Sequence, residues 1–127
     1  MIRHGEPPYL ECSSKGDRRF SAFGARIRRR GNRSIEELYQ GYKRFGDGST
    51  GLTWREAKGK KAVNQEECSV FYNQLWREYL DENPELVEVL LQASGLSDIF
   101  GQPGHCCQAS SLWELREFHK LLKSLNR

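Results

Sequence analysis

Cys68, Phe71, Tyr72, Leu75 and Tyr79 recur at intervals of three and four residues, the spacing that places side chains on one face of an α-helix. Glu66, Glu67 and Glu78 lie mostly off that stripe, so residues 65–80 are expected to form an amphipathic helix with an aromatic face turned into a core. Trp76 borders the stripe and reads either as packing or as the wall of a base-binding pocket. A helix of this kind must be covered by other elements, and the chain marks where they begin. Ser34 with Glu37, Thr53 with Glu56 and Ser111 with Glu114 have the spacing of capping boxes, and Asn83-Pro84 reads as an N-cap followed by proline at the first helical position. Helices are therefore expected from Ser34 to about Phe45, from Thr53 to about Ala62, from Asn83 to near Gly95 and from Leu112 to Leu125, the last with Leu115, Phe118 and Leu122 inward and His119 beside them. Phe20 to Ile27 is rich enough in Phe and Ile for a strand entering the core, followed by an Arg-rich turn ending at Gly31-Asn32.

With 127 residues there is enough chain for one compact domain. Residues 1–17, with Pro7-Pro8 and a polar stretch around Ser13 to Asp17, are expected as a loosely attached arm with at most one short strand, and residues 18–127 as the domain proper. The fold class expected is mainly α, multihelical, with a minor β element. No apolar run approaches the ~20 residues of a membrane span, which points to a cytoplasmic chain without membrane partners.

Charge is unevenly distributed. Residues 1–61 hold 15 Lys and Arg against 7 Asp and Glu, whereas residues 62–127 hold 5 against 10. Arg28, Arg29 and Arg30 lie in the basic half, and such a run reads either as a solvated loop or as a grip on phosphate, whether a pyrophosphate or a nucleic-acid backbone. The glycine-rich stretch 46–51 lacks the Gly-Lys-Ser/Thr ending of a P-loop and reads as a connector or lid. Cys12, Cys68, Cys106 and Cys107 show no spaced pairs, so they are read as reduced thiols; His105, Cys106, Cys107 and Cys12 do not make a zinc pattern, and neither metal nor cofactor is expected.

The first capped helix carries the chemistry. Ile35, Leu38, Tyr39 and Tyr42 form its apolar stripe, while Glu36, Gln40 and Lys43 share a stripe about a third of a turn away. Glu37 has a capping job; Glu36 has none, and it borders the core. A carboxylate, an amide and an ammonium beside tyrosines suit a polar ligand, and equally suit a solvated face with a charge pair.

The run Ile35-Glu36-Glu37-Leu38-Tyr39-Gln40-Gly41-Tyr42-Lys43 resembles the Glu-His-Ala-Phe-Gln-Ala-Ala-Lys signature of the NADAR family, the small YbiA-like domains associated with NAD and ADP-ribose. Phe20-Ser21-Ala22-Phe23 is similar to that family's Phe-Ser-Asn-Phe opening, Ala57-Lys58 to its Ala-Lys pair, Asn83-Pro84-Glu85-Leu86 to its Asn-Pro-Glu-Leu helix start, and Gly104 to Arg116 to its closing pattern. The five anchors appear in the family's order across residues 18–118. Ala22 stands where the family has Asn, Phe100 where it has Trp, and Cys106 where it has a second Asn, departures that bear on substrate choice.

The resemblance implies a multihelical YbiA-like fold and an N-glycosidase, with Glu36 as the catalytic carboxylate acting on a ribose C1′–N bond. It implies that Gln40, Lys43 and Lys58 hold ribose hydroxyls or phosphate, and that Phe20, Ser21, Phe23, Trp76 and Phe100 line the substrate pocket, with Arg28, Arg29 and Arg30 supplying attraction at longer range. The partner expected is an ADP-ribosyl or other ribonucleotide substrate. The alternatives are a non-catalytic binder of ADP-ribose or an NAD-derived nucleotide on the same stripe, and a basic nucleic-acid-binding module built on the arginines.

Overall fold

The structure is a computed structural model, which describes residues 1–51, 54–57, 61–102 and 107–126. Its centre is helix α3 (Gln65–Glu82), whose Tyr72, Leu75, Trp76, Tyr79 and Leu80 are buried on the expected face. Trp76 sits at the middle of that face with no exposed surface. It meets Tyr72 and Tyr79 edge-on, with ring centroids 6.4 and 5.6 Å apart. Edge-to-face geometry sets the positive rim of one ring against the negative face of the next. Phe20, Ile27, Ile35, Leu90, Leu96 and Leu112 close the core around this ladder.

Among the described residues four further helices surround it: α1 (Ile35–Tyr42), the single turn α2 (Trp54–Ala57), α4 (Pro84–Gln92) and α5 (Gln108–Leu125). Helices α1, α4 and α5 each pack directly on α3. The fold is thus mainly helical with a small β component, as expected. Ser34 caps α1 by accepting the Glu37 N–H at 3.1 Å. The helix ends at Tyr42, three residues before the expected Phe45.

The β component is larger than the sequence reading allowed. Strands β1 (Ile2–Gly5) and β2 (Tyr9–Glu11) come from the segment expected to be a loose arm, and both pair with β5 (Gly95–Asp98). The order is β1-β5-β2, antiparallel on one side with Arg3 opposite Ser97 and parallel on the other with Leu10 opposite Leu96. Strand β5 is buried at all four positions, which removes the alternation that would have marked it as a strand. A two-residue hairpin, β3 (Arg26–Ile27) with β4 (Arg33–Ser34), turns at Gly31 and Asn32, both at positive φ (75° and 57°). The strand expected over Phe20 to Ile27 is reduced to β3; before it lies a 3-10 turn, Arg18–Phe20.

Two helix starts are also corrected. Helix α5 begins four residues before Leu112, and Ser111, expected as its cap, lies inside it and donates from its hydroxyl to Asn73 Oδ1 on α3. Asn83 does not cap α4 with its side chain; its Nδ2 donates to the Tyr79 carbonyl at 2.8 Å and so finishes α3. Leu115 is buried as expected, but Phe118 and Leu122 are exposed, because α5 meets the body through Ala109, Leu112, Leu115 and Arg116 and then runs past it. Thr53 of the second capping box lies outside the described residues.

Gly95 is required where β5 passes between its neighbours. A Cβ there would stand 2.4 Å from the Glu6 carbonyl oxygen and 2.7 Å from Tyr9 Cδ1. Gly95→Ala is expected to lose about 3 kcal/mol of stability in urea denaturation, whereas Gly46→Ala, whose Cβ would meet nothing within 4 Å, should stay within about 0.5 kcal/mol of the parent.

Candidate functional site

Helix α1, the turn after Phe20, the middle of α3, the loop leaving β5 and the first turn of α5 enclose a cleft of about 310 Å³. Glu36 and Gln40 line it from α1, Tyr72 from α3, Asp98 from the end of β5 and Gln108 from α5. Phe23 and Phe100 also line it, and they are 37% and 61% exposed, which puts two aromatic rings at its rim.

A chain of hydrogen bonds ties these elements together. The Glu36 N–H donates to the Ala22 carbonyl and the Ala22 N–H to Gln108 Oε1, each at 3.0 Å. Gln108 Nε2 then donates to Asp98 Oδ2 at 2.6 Å. The Cys107 thiol donates to the same oxygen at 3.3 Å, and the Phe100 N–H to Asp98 Oδ1 at 3.0 Å. Asp98 is thus a buried carboxylate with three donors converging on it, the arrangement that compensates for removing a charged group from water.

Glu36 is placed differently. It is half-buried, and Gln40 Nε2 donates to its Oε1 at 2.8 Å, which spans one helical turn and fixes the carboxylate against the wall of the cleft. Its other oxygen has no hydrogen bond from any described residue; Tyr39 and Tyr72, two rings packed edge to face at 5.0 Å, line the same cleft. The cleft therefore offers one carboxylate fully engaged by the protein and one that is positioned and half free.

Of the residues expected from sequence, Glu36, Gln40, Phe23 and Phe100 are brought together here. Phe20 and Trp76 are not pocket walls: both are fully buried in the core. Ser21 is buried behind the cleft, where its hydroxyl accepts the Phe23 N–H at 3.3 Å and shapes the turn presenting Phe23. Lys43 ends α1, with its Nζ 5.4 Å from the centre of the Tyr39 ring, and it does not line the cleft. Lys58 and Cys106 lie outside the described residues. Sequence reasoning missed Asp98 and Gln108. Asp98 ends a strand that gives no periodic signal, and Gln108 precedes the capping box taken as the start of α5.

The arginines face elsewhere. Arg30 grips Glu78 through two parallel bonds, Nε to Oε1 at 2.7 Å and the terminal nitrogen to Oε2 at 2.8 Å. Arg29 pairs with Glu82 at 3.2 Å, and the backbone N–H groups of Arg28 and Arg29 donate to the same carboxylate. Arg28 and Arg29 also donate to the Glu82 and Glu78 carbonyls at the end of α3, where unpaired carbonyls and the helix dipole favour cations. None of the three lines the cleft. Among the described lining residues there are two carboxylates and no Lys or Arg.

Burial pushes the Cys12 and Cys107 thiols up, so neither is a ready thiolate at neutral pH. Cys12, Cys68 and Cys107 are buried, and Cys12 and Cys107 are free thiols. Among the described residues no cluster of His, Cys, Asp and Glu is arranged to hold a metal ion, and no helix is long and apolar enough to cross a membrane.

The hydrogen bonds from Arg30 hold the Glu78 carboxyl down at about 2, against an ordinary 4.5. A carboxyl depressed on folding stabilises the protein above its unfolded value, and that contribution drains away as pH falls from 4.5 toward 2. Arg30→Met should cost about 1 kcal/mol at neutral pH and flatten the loss of thermal stability across that acid window, as read by calorimetry at a series of pH values.

No protein-family model and no curated protein matches the chain.

Proposed function

We propose that the protein is an N-glycosidase that hydrolyses a ribose C1′–N bond in an ADP-ribosylated nucleobase or a related ribonucleotide, on a YbiA-like scaffold in the cytoplasm. The observation that carries this reading is the half-free Glu36 carboxylate, fixed by Gln40 in a cleft rimmed by Phe23 and Phe100. The resemblance of residues 18–118 to the NADAR family supports it, and the free buried thiols fit a reducing compartment.

In this reaction the C1′–N bond breaks and its electron pair leaves with the base, so positive charge develops on the sugar. Glu36, with its free oxygen toward C1′, stabilises that charge and orients the attacking water. The water oxygen bonds to C1′; its proton passes to Glu36 and from there to the departing nitrogen. Asp98 adds negative potential to the cleft without giving up its hydrogen bonds. The two rim rings take the planar base between them. Arg28 and Arg29 have side chains 67% and 51% exposed, but both are paired with Glu82 as Arg30 is with Glu78, so a phosphate outside the cleft would meet them in competition with these acids.

The test is turnover followed by mass spectrometry on ADP-ribosylated guanosine oligonucleotides, ADP-ribose, NAD and a ribosylamine nucleotide. Wild type should release a free base or amine, and Glu36→Gln should lower the rate by about 10³-fold with its melting temperature unchanged. Equal rates in the two proteins overturn the assignment. Binding without turnover of any substrate identifies a nucleotide-capture module, and affinity that falls steeply with salt for oligonucleotides alone identifies a nucleic-acid binder.

A further inference from the structure

The second half of α5 carries an apolar face that no described residue covers. The helix meets the body through Ala109, Leu112, Leu115 and Arg116, and from Glu117 to Leu125 every residue but His119 is exposed. Phe118, Leu121, Leu122 and Leu125 follow one another at steps of three, one and three, which gathers them into a single stripe spanning about 100° of the helix. They are between 39% and 71% exposed and together present about 400 Å² of apolar surface, the scale at which a contiguous patch marks an interaction site. A helical segment this short is held chiefly by burying such a face rather than by its own hydrogen bonds.

We propose that a second copy of this chain covers the stripe, the two α5 helices packing antiparallel about a two-fold axis between Leu121 and Leu122. The stripe reads the same from either end: a large apolar residue, a gap of two, a pair of leucines, a gap of two, a large apolar residue. A two-fold axis at its middle therefore sets Phe118 of each copy against Leu125 of the other and Leu121 against Leu122, which is the self-complementarity that an interface made twice from one patch requires. Charge chooses the direction. Glu114 is exposed on the line of the stripe, one turn before Phe118, so parallel helices would bring two carboxylates together, whereas antiparallel helices send each past the other's Leu125. Glu117 and Ser124 flank the stripe on the same side, and the axis brings each Glu117 beside the Ser124 hydroxyl of the other copy. Lys120 and Lys123 are on the far side of the helix, and Lys123 already pairs with Glu88 of α4 at 3.4 Å. Two acids and two lysines balance along this half of α5, so an anionic lipid surface finds no net charge to attract, and a second copy is the better-matched occupant. The pairing buries about 800 Å² of apolar surface in all, toward the low end of specific interfaces, which sets association in the micromolar range.

The test is sedimentation equilibrium of the full chain from about 1 to about 300 µM. Wild type should move from the 14.7 kDa monomer toward twice that mass. Leu121→Glu places a charge beside the axis and should raise the dissociation constant by at least about a hundredfold. Its melting temperature at low concentration should match wild type, because this side chain already meets water in the single copy. Val63→Glu, the same kind of change at a similarly exposed residue outside the stripe, should leave association unchanged. Direction is read by mixing copies that carry Phe118→Cys with copies that carry Leu125→Cys under diamide: the two should join to each other rather than to themselves. A wild type that stays monomeric throughout, an association that survives Leu121→Glu or is lost equally in Val63→Glu, or like-with-like crosslinks overturn the antiparallel pair. A monomeric wild type that sediments with phosphatidylserine vesicles assigns the stripe to a lipid surface and overturns it too.

Discussion

The hydrogen bonds that converge on Asp98 hold the cleft together. Asp98 is almost wholly buried at the end of β5, and its partners come from the loop beyond it and from the start of α5. Through the Gln108 amide the same network reaches the Ala22 backbone, and through Ala22 the first turn of α1. One buried carboxylate thus fixes the relative positions of a strand, a turn and two helices. Were its donors absent, desolvation would favour expelling it, and the cleft would open. The half-free acid on α1 is positioned by a network in which its side chain takes no part beyond the bond from Gln40.

The arginine run illustrates how local charge can mislead. Five arginines between residues 26 and 33 suggest a phosphate grip, yet Arg28, Arg29 and Arg30 lie against the C-terminal end of α3, where Glu78 and Glu82 wait with the last helical carbonyls. The acids belong to the acidic half of the sequence, more than 45 residues further on, so the imbalance between the halves is resolved inside the fold. The bidentate Arg30–Glu78 pair is the best formed of these contacts, and Arg30 also lies over the Phe71 ring at 5.2 Å, which fixes the hairpin to the helix by dispersion as well as charge.

Much of the helical frame was legible because periodicity and caps are local signals. The stripe from Cys68 to Tyr79 identified α3, and Ser34 located the start of α1 to the residue. The sheet was not legible. Its central strand Gly-Leu-Ser-Asp is buried on every side, its outer strands are three and four residues long, and the pairing joins residues about 85 to 95 positions apart. Within the site, the α1 residues could be read from their common stripe, whereas Asp98 and Gln108 become neighbours of Glu36 only through that long-range pairing. Trp76 failed as a pocket wall for a related reason: the stripe of α3 is wide enough to include it, and the largest side chain took the centre of the core.

Ala22 and Phe100, two of the positions at which the chain departs from the pattern it resembles, act through their backbones. Ala22 contributes its N–H to Gln108 and its carbonyl to Glu36, so a smaller side chain there leaves both bonds intact. Phe100 contributes its N–H to Asp98 and only its ring to the rim. The Phe100 ring presents a flat apolar face at that rim and no hydrogen-bonding group. The positions of Asp98 and of the first turn of α1 therefore rest on the backbone at residues 22 and 100, which leaves the side chains there free to vary without moving the cleft's acids.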